Sequence, residues 1–81
     1  MANQNCLAYK VCAYVKDCNY NTNSLLEIPL SGEYDSFDDA VIEQNNIMQD
    51  IYKGYWIEPM EGDHLNPSYV QRISVVSSLI D

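Results

Sequence analysis

Residues 33–54, EYDSFDDAVIEQNNIMQDIYKG, restrict the fold of this chain more than any other stretch. At about 100° per residue, Phe37, Ala40, Val41, Gln44, Ile47, Met48, Ile51 and Tyr52 share one broad face. Ser36 with Asp39 three positions later has the spacing of a capping box, and Asp35, Asp38 and Asp39 suit the positive end of a helix. Lys53 falls in the last turn, and Gly54 is a natural left-handed terminator. Start, stop and period agree on one helix, whose apolar stripe must be covered by the rest of the chain.

The rest reads as β-structure. Residues 6–17, CLAYKVCAYVKD, place Leu7, Tyr9, Val11, Ala13 and Val15 on one side, the side expected to meet the core. The other side carries Ala8, Lys10, Cys12, Tyr14 and Lys16 and should be wetter. The asparagine-rich 18–24 reads as a hairpin loop, because Asn tolerates turn conformations. Residues 25–30 form a second strand, which Pro29 confines to a sheet edge. After the helix, residues 55–60 alternate Tyr55 and Ile57 against Trp56 and Glu58, predicting a third strand. Residues 61–67 read as a loop from their Gly, Asp, Asn and Pro content. Residues 68–81 predict a fourth strand, apolar on both faces near Val75 and Val76, as suits an interior strand or a dimer contact. The expectation is one α+β domain spanning 1–81, a ββαββ chain with a four-stranded antiparallel sheet and the helix packed on one face.

Size and charge restrict function. A domain of 81 residues buries only about 60% of its unfolded surface, too little for a deep enclosed cavity. A hydrophobic fraction of 47% argues against disorder. The four cations Lys10, Lys16, Lys53 and Arg72 face twelve acids, for a net charge of −8. Such a chain is repelled by nucleic acid and anionic membrane and attracted to basic protein surfaces. Cys6 and Cys12 on one strand stand roughly 20 Å apart, too far for a disulfide. The six-residue spacing of Cys6, Cys12 and Cys18 also departs from zinc-site spacing, so reduced thiols in a cytoplasmic protein are expected. No run is long enough for a membrane helix, and MANQN is no basic signal-peptide start.

The sharpest candidate site is the outer edge of the helix. Asp39, Glu43, Asn46 and Asp50 project within about 60° of one another on the helical wheel. With Glu33, Asp35 and Asp38 before them they form an acidic ridge, opposed along this stretch only by Lys53. A face that is merely solvated more often mixes charge signs, because ion pairs one turn apart stabilise a helix slightly. Ile42 points away from the apolar stripe and can anchor an interface. Trp56, with Tyr55 and Tyr20, is the best aromatic candidate for a contact. His64, in Glu61-Gly62-Asp63-His64, has no third ligand and no nucleophile at recognisable spacing. No catalytic residue, metal site or cofactor is expected, and His64 and the loop acids suit the rim of an acidic binding surface.

In size, charge and two-layer body the chain resembles a physical type, the small acidic proteins encoded by phages and mobile elements. These include anti-CRISPR proteins, anti-restriction DNA mimics and uracil-DNA glycosylase inhibitors. The resemblance covers no motif, so no residue role is carried across. It implies a non-enzymatic inhibitor in the host cytoplasm that docks as a DNA mimic on a nuclease or other nucleic-acid-binding protein. The expected contact residues are Glu33, Asp35, Asp38, Asp39, Glu43, Asp50, Ile42 and Trp56. The alternative is a non-catalytic interaction or homodimerisation module whose acidity serves only solubility.

Overall fold

The computed structural model describes residues 6–16 and 25–80. Strand β1, Cys6–Lys16, lies at the centre of a three-stranded sheet, with β2, Leu25–Pro29, and β3, Val70–Ile80, on its two sides. Both neighbours run antiparallel to β1. Helix α1, Phe37–Tyr52, follows β2 and packs on one face of β1 and β3, and a short 3-10 turn, Pro67–Tyr69, leads into β3. The fold is therefore α+β, with one helix and an antiparallel sheet.

The alternation of β1 sorts its side chains as its sequence implies. Val11 and Ala13 are buried on the helix side, packed with Leu30, Ile57, Ile28, Ile73 and Val75 and with Ile47 and Ile51 of α1. The reverse side is drier than expected, because a central strand is shielded by both neighbours. Ala8 and Cys12 are fully buried there, and Lys10 and Tyr14 are half-buried. Tyr14 Oη donates to Glu27 Oε2 at 2.8 Å, and the Arg72 guanidinium lies 4.5 Å from the centre of the Tyr14 ring. Cys6 and Cys12 share this one strand, which keeps them from bridging. Cys18 and the 18–24 loop lie outside the described residues.

The helix forms where its signals place it. Ser36 is the N-cap, and its Oγ accepts from the Asp38 N–H at 3.1 Å. At the other end, Gly54 adopts φ +92°, the Gly54 N–H donates to Ile51 O and the Tyr55 N–H to Asp50 O, each at 3.0 Å. Those two bonds make a Schellman motif, and Gly54 enters its left-handed conformation without a Cβ penalty. Ala40 is the fully buried helix residue, small enough to bring α1 close to the sheet. Gln44 Nε2 donates to Ile73 O at 2.8 Å, tying α1 to β3.

The chain beyond β2 keeps following β1. Leu30 N–H donates to Val11 O at 2.8 Å, and Tyr9 and Tyr34 exchange two backbone bonds of 2.7 and 2.8 Å. Between them the ladder lacks a backbone acceptor, and the buried Ser31 Oγ supplies one by accepting from the Val11 N–H at 3.0 Å. That bond spares the core an unpaired N–H, which costs about 1–3 kcal/mol. Tyr9 then meets Phe37 edge to face, with ring centres 5.7 Å apart, where the helix begins.

Two expectations are corrected. Residues 55–60 form no strand: Ile57 alone pairs there, with Leu65, through backbone bonds of 2.9 and 2.7 Å. Its neighbours Tyr55, Trp56 and Glu58 are exposed, so the alternation has only Ile57 to bury. Pro59 has no N–H, and the next donor, Met60, is spent on Pro29 O at 3.1 Å, closing the end of β2. The sheet accordingly has three strands, not four, and the order is ββαβ, not ββαββ. The final strand is also not interior. Among the described residues β3 pairs with β1 alone, so it stands at the edge of the sheet, which leaves the dimer contact as the other reading of its apolar pattern.

Candidate partner-binding surface

One side of α1 turns toward Tyr34 and the β2 end of the sheet, and the acidic residues gather on it. Asp39, Ile42, Glu43 and Asn46 line a shallow depression of about 250 Å³ with Tyr34. Ile42 is 58% exposed there, so its side chain is free for contact. Glu43 is half-buried, and its Oε2 accepts from Tyr34 Oη at 3.3 Å, which orients the carboxylate. Glu43 also borders a larger cleft of about 440 Å³ shared with Asp50, Trp56, Tyr55, Glu58 and His64. Its floor is apolar, made by Leu30, Ile47, Ile51 and Ile57.

The backbone explains why these groups converge. Three and four residue steps set Asp39, Glu43, Asn46 and Asp50 along one edge, spanning about 16 Å of helix axis. The Schellman turn at Gly54 then reverses the chain so that Tyr55 and Trp56 stand beside the last turn. The Ile57–Leu65 bridge holds the returning segment under that turn, which brings Glu58 and His64 to the same cleft. None of Asp39, Glu43 and Asp50 makes an ion pair among the described residues.

The structure divides the expected contact set. Asp39, Ile42, Glu43, Asp50 and Trp56 lie around the two connected depressions. Asp35 and Asp38 are exposed at the entrance of α1 and line neither. Glu33 faces elsewhere, into a groove with Lys10, Met60 and Glu61. Tyr34 and Glu58 escaped the sequence reading, since neither shares the helical period. Tyr34 carried only the hint of an aromatic between two acids. Tyr20 lies outside the described residues.

The cleft combines carboxylates, aromatic faces and an apolar floor. That combination suits a long basic side chain: its stem can lie on Ile47, Ile51 and Ile57 while its cation meets Glu43, Asp50 and Glu58, with Trp56 and Tyr55 available for cation–π contact. His64 makes no hydrogen bond among the described residues, and no group of three or more His, Cys, Asp or Glu there could hold a metal ion. Among the described residues no helix is long and apolar enough to cross a membrane.

Among the described residues three groups carry shifted pKa values. The Cys12 thiol is raised by burial and then by the Glu27 charge. Tyr14 is raised chiefly by its hydrogen bond to Glu27, and Tyr34 by desolvation and then by the Glu43 charge. Each folded value lies above the unfolded one, so folding favours the protonated form. The resulting stability is complete below the unfolded values, about 9 for the thiol and 10 for the phenols, and is lost as pH climbs through the raised ones. Thermal melting should therefore show the melting temperature falling from pH 9 to 11, with a smaller fall in a Tyr14→Phe/Tyr34→Phe variant. A melting temperature that rises over that interval would contradict these environments.

The chain matches no family model, no curated protein and no solved structure.

Proposed function

We propose that this protein is a small inhibitor that docks through the acidic edge of α1 onto a basic, nucleic-acid-binding surface of a target enzyme. The observation that carries this reading is the row Asp39, Glu43 and Asp50, without ion pairs among the described residues and continued by Glu58 around a cleft with Trp56. Along the helix axis the row places carboxylates about 6 Å and 16 Å apart. Duplex DNA presents a charge every ~1.7 Å of axis, counting both strands, so a cation-lined groove accepts a rigid row of this kind in place of phosphates. Ile42 and Trp56 add apolar contact that phosphates lack, which favours the inhibitor over DNA. Its site of action is the cytoplasm of the cell that holds the target.

The test needs a partner and two salt concentrations. A tagged chain incubated with host-cell extract captures a nuclease or other nucleic-acid-binding protein, and duplex DNA displaces the captured protein. Calorimetry on the purified pair should then show at least a tenfold weaker affinity at high salt than at low salt, as the screening length falls from about 10 Å at 0.1 M toward 3 Å at 1 M. Affinity independent of salt, or a complex indifferent to DNA, would sink the mimic reading and leave the acidity as a solubility device.

A further inference from the structure

We infer that the outer edge of β3 is a homodimer interface, at which two copies pair strand to strand and join their sheets into one of six strands. Which backbone groups are free follows from the register. Tyr9 and Val11 of β1 spend their N–H and C=O groups toward Tyr34, Ser31 and Leu30 on the β2 side. The even residues of β1 therefore bond to β3, and the pairs Ala8↔Ser78, Lys10↔Val76 and Cys12↔Ser74 turn the even residues of β3 inward. The odd residues Ile73, Val75, Ser77 and Leu79 turn their backbone groups outward. Gln44 takes the Ile73 carbonyl, reaching over from α1. The outward N–H and C=O groups of Val75, Ser77 and Leu79 have no partner among the described residues.

The edges of the sheet are treated differently. β2 is five residues long, ends in Pro29, and has its last carbonyl taken by Met60. β3 is eleven residues long and has no proline, glycine, lysine or acid. Its register irregularity and its one charge, Arg72, lie at its start, and the regular edge beyond them is of the kind where another strand adds and which proteins that remain monomeric guard. Leu79 is 66% exposed and its cross-strand partner Leu7 41%, an apolar pair at the rim of the helix face.

The outward groups match their own two-fold image, which selects a second copy as the occupant, and the charge pattern of the strand admits one. Two chains of charge −8 repel except where their acids are remote, and β3 carries none. The acidic edge of α1 shares its cleft with Leu30 and Ile57 on the β2 side, while Gln44 marks the side toward β3. Pairing through β3 therefore keeps the two acidic clefts apart and open.

The free groups also set the register. A two-fold axis at Ser77 pairs Val75 with Leu79 of the partner subunit and Ser77 with the partner's Ser77, and leaves Ile73 to Gln44. Leu79 then packs against the partner's Val75 on the shared helix face.

Light scattering on the full chain at sub-millimolar concentration tests this without reference to any target, so its outcome is separate from that of the inhibitor reading. The expected mass is twice the 9.3 kDa of one chain. Ser77→Pro removes an outward N–H and leaves the β1 ladder intact, and Leu79→Lys places a charge at the contact. Both variants should give the single-chain mass with an unchanged circular dichroism spectrum. In a Cys6→Ser/Cys18→Ser background, Ser77→Cys should link two chains under oxidising conditions, because directly opposed residues of a hydrogen-bonded pair have Cα atoms about 5.5 Å apart. A single-chain mass for the unsubstituted protein overturns the proposal and leaves the edge to a foreign strand. A dimer that survives both Ser77→Pro and Leu79→Lys overturns it equally, by placing the contact elsewhere.

Discussion

Asp39→Lys/Glu43→Lys/Asp50→Lys is expected to abolish capture of the basic partner while leaving the fold intact. The three reversals move the formal charge from −8 to −2 and turn the edge of α1 from acidic to basic. Asp39 and Asp50 are exposed, and Glu43 forms one 3.3 Å bond to Tyr34, so little folding energy is at stake. Removing one member of a desolvated interfacial charge pair costs about 2–5 kcal/mol, and reversal adds repulsion. Three such changes should weaken binding by at least a thousandfold, beyond detection in most calorimeters. The comparison variant is Asp63→Lys/Glu61→Lys, which changes charge on residues that line neither depression of α1. If both variants lose affinity to the same degree, net charge alone governs binding and the helix edge has no special part. If the α1 variant binds as the unsubstituted chain does, the proposed surface is wrong.

The second large effect is on stability. Ile57→Ala should leave the chain marginally folded at best. Ile57 is 4% exposed and is one of the few buried hydrophobic side chains larger than alanine among the described residues, beside Val11, Cys12 and Leu30. A buried Ile→Ala change costs about 2–5 kcal/mol through lost transfer energy and the cavity left behind. A domain of 81 residues has only about 4–12 kcal/mol in total at ~0.05–0.15 kcal/mol per residue. The change also loosens the anchor that holds Trp56, Glu58 and His64 at the cleft. Urea unfolding should show the midpoint lowered by about 1–5 M for a slope near 1–2 kcal/mol/M. Ile42→Ala, at a site 58% exposed, should stay within about 0.5 kcal/mol of the unsubstituted protein. Comparable midpoints for the two variants would mean that Ile57 does not sit in the core.

These two positions show what local pattern conveys and what it omits. Ile42 and Ile57 are the same residue type; Ile42 follows the buried Ala40 and half-buried Val41, whereas Ile57 lies among exposed neighbours. Helical period placed Ile42 outside correctly, because sixteen helical residues repeat the pattern over several turns and both ends carry caps. Alternation over 55–60 repeats too few times to separate a strand from an extended segment with one buried residue. What decided Ile57 was a partner eight positions later, Leu65, and the closure of the β2 end by Met60. The status of β3 was equally out of local reach. An apolar pattern on both faces arises in an interior strand and in an edge strand that expects a neighbour, and only the pairing order tells them apart.

The candidate site divides along the same line. Asp39, Ile42, Glu43 and Asp50 were legible from the sequence because one helix sets their spacing. Glu33 left the group because the chain between β2 and α1 follows β1 and turns it toward Lys10 instead. Tyr34, Glu58 and His64 joined through that path and through the Schellman turn. The sequence by itself determined the single helix, its caps, the central strand and the excess of negative charge. These rest on contacts between near neighbours and on composition. Only the tertiary structure decided that β1 is flanked on both sides, that β3 is an edge strand among the described residues, and that Glu43 and Asp50 of α1 border a cleft with Trp56. Each of those depends on which distant segments meet, and long-range pairing is selected by the burial of the whole chain rather than by any stretch of it.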